Sequence, residues 1–335
     1  MILVTGGTGY IGSHTVVKLL ENNEEVIILD NLDNSKKDVV SQIETITNKK
    51  ILFYHIDLLD ANGLEQIFKE NNIDCVIHFA GLKSVNESIK NPLMYFRNNV
   101  TGTINLLTMI QKYNCKKIIF SSSAAVYSLS SEMPIDENAP LCAANPYGRT
   151  KLVIEDMLSD LYKSNNDYRI MILRYFNVTG AHKSGLIGEN PNDIPNNLMP
   201  YICKVASGEL PYLNVFGSDY DTIDGTGVRD YIHVDDVAEG HIKAYEKVNT
   251  NKGHHIFNLG TGNGYSVLQV INSFEEVNNI KINYKLASRR AGDLAVVYAD
   301  TKKAEIELDF KPRHNLQDMC KDSWKSSSYN CCKRM

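Results

Sequence analysis

The chain has 335 residues, 43% apolar and 22% charged, with a formal net charge of −5. That balance belongs to a globular protein able to bury one large domain or two lobes. It gives no electrostatic reason to expect nucleic acid or a membrane surface as partner, and no apolar run approaches the roughly 20 residues that cross a bilayer.

The seven cysteines are scattered and odd in number. They predict reduced thiols in a cytoplasmic protein rather than a disulfide framework. No Cys/His set has zinc spacing, so no metal is expected, and the adjacent Cys331 and Cys332 carry no function. Strand-like sequence from Ile2 leaves no room for a signal peptide.

Short apolar, β-branched runs predict strands at Ile2–Thr5, Glu25–Asp30, Ile51–His55, Cys75–Phe79, Lys117–Ser121 and Arg169–Tyr175. Amphipathic stretches between them predict helices over Tyr10–Asn22, Gly63–Asn71, Pro92–Tyr113 and Pro146–Ser164. Continuous apolar strands alternating with helices predict a Rossmann-type, doubly wound parallel sheet covered on both faces. The rhythm stops near Asn177, and 180–200 reads as irregular structure. The expected organisation is a cofactor domain over 1–176, with a strand–helix unit near 231–260 returning to it. A smaller mixed α/β C-terminal lobe follows over 177–325, and 326–335 reads as a frayed tail.

The first strand runs into Gly6-Gly7-Thr8-Gly9-Tyr10-Ile11-Gly12. Glycines at 6, 9 and 12, between a strand and a helix, let a pyrophosphate approach backbone N–H groups at the positive helix end. Asp30 closes the second strand, where an acid hydrogen-bonds ribose hydroxyls and repels a 2′-phosphate. NAD is therefore expected over NADP, although Lys36 and Lys37 stand nearby. Asp57, after the third strand, is a candidate for the adenine edge or a plain loop cap.

The fifth strand ends in Ser121-Ser122-Ser123, followed by Ala124, Ala125, Val126 and Tyr127. Hydroxyls at the carboxyl end of a parallel strand face the ligand crevice. Tyr147 and Lys151 follow at the start of the next helix, four apart and so on one face. The same spacing recurs at Tyr113/Lys117, Tyr298/Lys302 and Tyr329/Lys333. Only Tyr147/Lys151 stands behind a strand-end serine, with Pro146 to start its helix. A unit charge about 6 Å from a phenolate, at an effective dielectric of about 20, is worth roughly 2.8 kcal/mol, or about two pKa units. Lys151 and an oxidised nicotinamide ring together would bring the phenol to about 6–7, the range of a working base.

These residues resemble the extended short-chain dehydrogenase/reductase family. Six further blocks narrow the likeness to its UDP-hexose 4-epimerases: Ile28–Leu32, His78–Lys83, Leu173–Asn177, Pro195–Tyr201, Asp224–Val234 and Arg289–Asp293. The resemblance spans about residues 1–325. It implies interconversion of UDP-glucose and UDP-galactose through a 4-ketose on a tightly held NAD. In that reading Tyr147 is the base, Lys151 its activator and Ser123 the proton-sharing hydroxyl. Gly6, Gly9, Tyr10, Ile11, Gly12, Asp30, Asn31, Asp57, Leu58, Phe79, Ala80, Lys83, Asn98 and Phe176 would line NAD, with Tyr147 and Lys151. Asn177, Asn197, Leu198, Phe216, Arg229, Arg290 and Asp293 would hold the UDP-sugar. The two arginines would face its diphosphate and Phe216 its uracil.

Val297 stands where some members carry tyrosine, and the smaller side chain implies room for UDP-N-acetylhexosamines. A homodimer is implied, with Pro92–Tyr113 and Pro146–Ser164 as candidate interface helices. Ser128 departs from the family's usual glycine after Val-Tyr. A nucleotide-sugar 4,6-dehydratase or a UDP-glucuronate decarboxylase would need an acid where Ala124 and Ala125 stand. A non-catalytic NAD-binding scaffold would need none of Ser123, Tyr147 or Lys151.

Overall fold

The computed structural model describes residues 1–190, 195, 197–290 and 292–332, and opens on the predicted first strand, β1 (Ile2–Thr5). α1 (Tyr10–Glu21), β2 (Val26–Asp30), α2 (Asp38–Thr47), β3 (Leu52–His55), α3 (Ala61–Glu70) and β4 (Cys75–His78) follow. Next come α4 (Val85–Lys90), α5 (Pro92–Tyr95), a π-helical stretch (Phe96–Thr101), α6 (Gly102–Lys112), β5 (Lys117–Ser123) and a 3₁₀ turn (Ala124–Val126). α7 (Pro146–Ser164) and β6 (Arg169–Tyr175) complete the regular alternation. The later elements are β7 (Asn177–Thr179), α8 (Leu198–Ala206), β8 (Leu213–Phe216), β9 (Val228–His233), α9 (Val234–Thr250) and β10 (Gly253–Leu259). The chain then forms β11 (Gly264–Ser266), α10 (Val267–Asn278), β12 (Tyr284–Ala287), β13 (Val296–Val297), α11 (Lys302–Leu308) and α12 (Leu316–Cys332).

The first of two units takes in Met1–Ser128, Asn138–Tyr175 and Ala238–Phe257. Its seven-stranded sheet has the order β10-β6-β5-β4-β1-β2-β3, with β1 to β6 paired in parallel. Strand order reverses between β1 and β4, the switch point at which Rossmann-type sheets open a ligand crevice. Strands β1, β2 and β4 are buried at every residue, which explains their unbroken apolar runs. β3 is an edge strand with two exposed residues. Leu3, Ile27, Val76, Ile118 and Ile170 share one core with Leu106 and Ile110 of α6 and Ile154 and Leu158 of α7. Each such side chain contributes about 1.5–3 kcal/mol on burial.

The second unit takes in Leu129–Glu137, Phe176–Val237 and Asn258–Met335. In its main sheet β9 carries β11 antiparallel on one side, with β13 and β7 parallel to it. β8 and β12 form a separate parallel pair. The core joins Met199 and Ile202 of α8, Val270, Ile271 and Phe274 of α10, and Met319 and Cys320 of α12.

Four expectations need correction. The helix predicted over Pro92–Tyr113 is interrupted by the π-helical stretch, where Asn99 turns inward to hold other segments. α2 and α4 were not anticipated; α2 buries only Gln42 and Ile43, so its apolar signal is thin. The unit near 231–260 does not travel as one: β9 lies in the second unit, while Ala238–Phe257 lies in the first. Finally, 326–335 is no frayed tail as far as it is described. α12 continues to Cys332, and Met319, Cys320, Ser323 and Ser326 are buried along one face at helical spacing. A serine- and lysine-rich composition hid that face. Residues 333–335 lie outside the described residues, as do Asn196, Ala291 and the side chains of Cys331 and Cys332. Cys75, Cys115, Cys203 and Cys320 are buried free thiols, and Cys142 is exposed.

Candidate active site

The glycine loop leaves β1 with Gly6 at φ +71°, a conformation that costs an L side chain energy. The Gly6 carbonyl accepts the N–H of Gly9 at 3.1 Å, closing the turn. A Cβ on Gly12 would fall on that carbonyl oxygen, so the first turn of α1 packs against the loop only with glycine there. α1 starts at Gly9 with no side-chain cap and no acid in its first turn. Its leading N–H groups and positive dipole end are thus left to an anion such as a pyrophosphate. α3, α4, α7 and α10 are each capped by a side chain of their own.

Asp30 is buried at the end of β2. Its carboxylate accepts the Thr8 N–H (3.1 Å), the Leu32 N–H (2.9 Å) and the Ser35 hydroxyl (3.1 Å). It therefore ties the glycine loop to the segment after β2 and keeps acceptor capacity for ribose hydroxyls. Asn31 and Asp57 meet, Nδ2 to Oδ2, at 2.8 Å, and Asp57 also accepts the Leu59 N–H at 2.7 Å. Asp57 is thus a loop cap as well as a member of this rim. The Lys83 ammonium lies 5.8 Å from the Tyr10 ring centroid. Ile11, Phe79, Ala80 and Asn98 are half-buried, while the Leu58 side chain is part of the core. Phe176 belongs to the second unit, where it is buried and its N–H donates to the Leu259 carbonyl.

α7 begins at Asn145, whose side chain accepts the Gly148 N–H at 2.9 Å, with Pro146 at the first helical position. A Cβ on Gly148 would fall on the Ala125 carbonyl oxygen, so glycine lets α7 abut the 3₁₀ turn after Ser123. Tyr147 is thereby hydrogen-bonded to Ser123. The Ser123 hydroxyl also accepts the Ala125 N–H at 3.1 Å. Lys151 is buried, donates to the Ser121 carbonyl at 2.7 Å, and lies 6.0 Å from the Tyr147 ring centroid.

The charge balance differs from the expectation in one respect. Burial raises the Tyr147 phenol above its ordinary value, and the Ser123 hydrogen bond and the Lys83 charge only partly reverse this. Burial also brings Lys151 down to about 8, against the pull of Glu155. Burial thus favours the protonated phenol, and a further positive charge beside it would act in the opposite direction, as Lys83 does.

Several side chains behind this site were not singled out. His78, at the end of β4, has Nδ1 2.7 Å from the Thr5 hydroxyl and Nε2 2.9 Å from that of Thr103. Thr103 spends its own proton on the Asn99 carbonyl at 2.6 Å. His78 must then donate from Nε2 and accept at Nδ1, which fixes a neutral tautomer. Burial, followed by the Lys151 charge, lowers it to about 3. Asn99 accepts the Leu82 N–H and donates to the Leu82 carbonyl and the Thr150 hydroxyl. Thr150 in turn donates to the Tyr147 carbonyl at 2.7 Å. Glu155 and Arg174 form a buried ion pair, Nη2 to Oε2 2.6 Å. One signal was available: Arg174 is a charge inside an otherwise apolar strand.

In the second unit Arg229, Arg290, Asp293 and Phe216 converge. Asp293 faces Arg229 at 3.8 Å and Arg290 at 2.8 Å. The Arg290 guanidinium lies 5.1 Å from the Phe216 ring centroid, and Phe216 is 39% exposed. Val297 pairs with Arg229 in register, which places it beside this cluster. Asn197 is the cap position of α8 but makes no cap hydrogen bond; its side chain donates to Glu189 at 2.9 Å. Among the described residues no side chain caps the start of α8, where Leu198 stands. Asn177 is exposed on β7. Asp230, unforeseen, accepts from Thr261 (N–H and hydroxyl), Gly262 and Ala299, and so fixes β9 to the segments beside it.

His233, Asp235 and His314 come together with metal-like spacing. The Asp235 N–H donates to His233 Nδ1 at 3.0 Å, so the neutral ring carries its proton on Nε2 and has no lone pair to offer there. His314 is held by Asp236 at 2.9 Å, which raises its pKa.

Residues 2–260 match the model of the NAD dependent epimerase/dehydratase family. The chain is 54% identical to UDP-glucose 4-epimerase of Bacillus subtilis (strain 168), over 98% of this chain and 97% of that protein. It is 52% identical to UDP-glucose 4-epimerase of Dictyostelium discoideum, over 98% and 96%. The structure of UDP-glucose 4-epimerase from Stenotrophomonas maltophila, with bound NAD and formylated UDP-arabinopyranose, superposes with a TM-score of 0.97. Identity is 48% and coverage 99% of both chains. The enzyme from Bifidobacterium longum, in complex with NAD+ and UDP, gives 0.95 at 48% identity and 98% coverage of both.

Proposed function

The chain belongs to the NAD dependent epimerase/dehydratase family, and we propose that it interconverts UDP-glucose and UDP-galactose at C4 with NAD as a prosthetic group. The observation that carries this is the Tyr147–Ser123 hydrogen bond beside the buried Lys151 ammonium, at the strand ends served by an uncapped, glycine-lined helix start. The loop, Asp30 and α1 fit a dinucleotide. NAD held there would supply a reversible hydride acceptor for the sugar C4.

Tyr147 takes the proton of the sugar C4 hydroxyl, with Ser123 sharing that hydrogen bond. Burial favours the protonated phenol and the Lys83 charge opposes it; a cationic nicotinamide beside Tyr147 would add to that opposition. Arg229 and Arg290 hold the diphosphate, Phe216 the uracil, and Asn177, Asn197, Leu198 and Asp293 complete the nucleotide's binding. Because that affinity lies in the nucleotide, the sugar can present either face to the same base. Alanine at 124 and 125 offers no acid for elimination, which sets dehydration apart.

Val297 gives the cluster a small wall, and UDP-N-acetylhexosamines are proposed as further substrates. The first unit carries the NAD role and the second most of the nucleotide-sugar role. A cytoplasmic homodimer is proposed. Its support is an apolar patch on α4 to α6, with Ile89 61%, Leu93 82%, Met94 42% and Ile104 47% exposed. Among the described residues no helix is long and apolar enough to cross a membrane. The test is incubation with UDP-galactose without added NAD, with product chromatography. UDP-glucose should form with no NADH accumulating; its absence from protein that carries NAD sinks the proposal. Failure of UDP-N-acetylgalactosamine to turn over, beside robust UDP-galactose turnover, sinks only the wider substrate range.

A further inference from the structure

Behind the Tyr147/Lys151 pair lies a buried network with no part in the reaction as described so far. Glu155 stands one helical turn after Lys151 on α7, and Arg174 lies on β6; they are 4% and 1% exposed. Arg174 Nε donates to Glu155 Oε1 at 3.0 Å and Nη2 to Oε2 at 2.6 Å. The Ser122 hydroxyl donates to the same Oε1. Arg174 Nη1 donates to the Tyr127 hydroxyl at 3.0 Å. Three successive serines of β5 are thus used in three directions. The Ser121 carbonyl takes Lys151, the Ser122 hydroxyl takes Glu155, and the Ser123 hydroxyl takes Tyr147.

We infer that Glu155 is a positioning residue, held rigid by Arg174 and Ser122, whose carboxylate is the countercharge that keeps the buried Lys151 ammonium protonated. The other groups facing Lys151 cannot do this. On β5 they are the Ser121 carbonyl and the Phe120 ring, 4.9 Å away. On β4 His78 is neutral. On β6 the Tyr175 phenol is raised by burial and uncharged, and Arg174 is itself a cation. On α7 Tyr147 is protonated until it acts; Lys83, between β4 and α4, bears on Tyr147 and is another cation. Among the described residues only Glu155 brings a negative charge to bear on Lys151, and it opposes the burial that draws the amine down to about 8. A modest further loss would leave the amine neutral at physiological pH.

This inference rests on Lys151 as the cation that serves Tyr147 and the nicotinamide ribose. It is tested in the NAD-bound protein labelled with ¹³C-lysine. The Lys151 ε-carbon is titrated by NMR and assigned by its loss in K151R. E155Q is expected to lower the midpoint by about one to two pH units, the size of one charge about one helical turn away at an effective dielectric of about 20. The alkaline limb of the turnover profile should move down with it. E155Q leaves Arg174 buried without its partner and can fail to fold. E155Q/R174Q removes both charges and should show a fall in the same direction, because Glu155 is the member of the pair that acts on Lys151. A midpoint within a few tenths of the unmodified protein in either folded variant overturns the inference, since a purely structural clamp would not move it. The titration needs no turnover. A protein that makes no UDP-glucose therefore fails the proposed function separately from this inference.

Discussion

Replacing Gly6 by alanine tests the geometry of the phosphate loop directly. The new Cβ would stand 2.7 Å from the Ala80 amide nitrogen, 2.9 Å from its Cα and 3.0 Å from the Phe79 carbonyl carbon. All three are backbone atoms at the end of β4 and cannot rotate aside. Alanine at φ +71° costs about 1–2 kcal/mol from conformation alone. The overlap adds about 1–3 kcal/mol, as for an extra methyl group in a packed interior. Ala80 also donates to the Thr5 carbonyl at 3.1 Å, so pushing it away strains the β1–β4 junction where Thr5 meets His78. Together these give a loss of about 2–5 kcal/mol, which for a chain of this size lowers the melting temperature by roughly 3–7 °C. Gly9→Ala is the internal control. Its Cβ meets only the Gly6 carbonyl oxygen, at 3.1 Å, and its φ is −70°, so it should cost about 1 kcal/mol or less. Melting followed by circular dichroism, with NAD content measured after purification, reads both variants. Gly6→Ala should melt well below Gly9→Ala and lose its NAD. Equal melting temperatures with full NAD would refute the loop geometry.

Tyr147→Phe keeps the ring and removes the proton acceptor. Turnover of UDP-galactose should fall about 10²–10⁴-fold with NAD retained, and product chromatography showing a loss below tenfold would remove Tyr147 from its role. Leu93→Glu places a charge in the exposed patch on α5 and should convert a dimer to a monomer in light scattering; an unchanged mass would move the interface elsewhere. His78 has a folded pKa of about 3, below the unfolded value of about 6.5. The unfolded chain takes the proton first, so stability is lost as pH falls from about 6.5 toward 3, by up to about 1.4 kcal/mol per pH unit. His78→Gln should flatten the stability slope between about pH 4 and 6 by one proton. An identical slope in urea titrations would mean that His78 titrates normally.

What could be read from the letters follows burial. Strands β1 to β6 were placed within two residues at either end because sheets covered on both faces need unbroken apolar runs. The start of α7 was legible because Pro146 is a first-turn residue by chemistry; the Asn145 cap emerges only in the structure. The glycine loop, Asp30 and the Ser123/Tyr147/Lys151 set were legible because fixed spacings on regular elements carry them. The second unit was harder. Its sheet is assembled from β7, β9, β11 and β13, short strands of which β7 and β13 lie more than a hundred residues apart. Only their pairing brings Val297 beside Arg229.

The buried charges were hidden for a different reason. A glutamate inside a core is spelled like one on the surface, and Glu155 sits four residues after Lys151 in a helix that also carries surface acids. Arg174 was the visible exception: in Ile170-Met171-Ile172-Leu173-Arg174-Tyr175 a cation stands inside a strand buried along its length. A charge there must find a countercharge, since an unpaired buried ion costs several kcal/mol. Strand order supplies the partner, because β6 lies beside β5 and α7, which connects them, packs over both. The acid on the inward face of α7 is Glu155. The need for a countercharge in β6 and the need for one beside Lys151 therefore have the same answer. Removing Glu155 should in consequence disturb a fold element and a proton balance together.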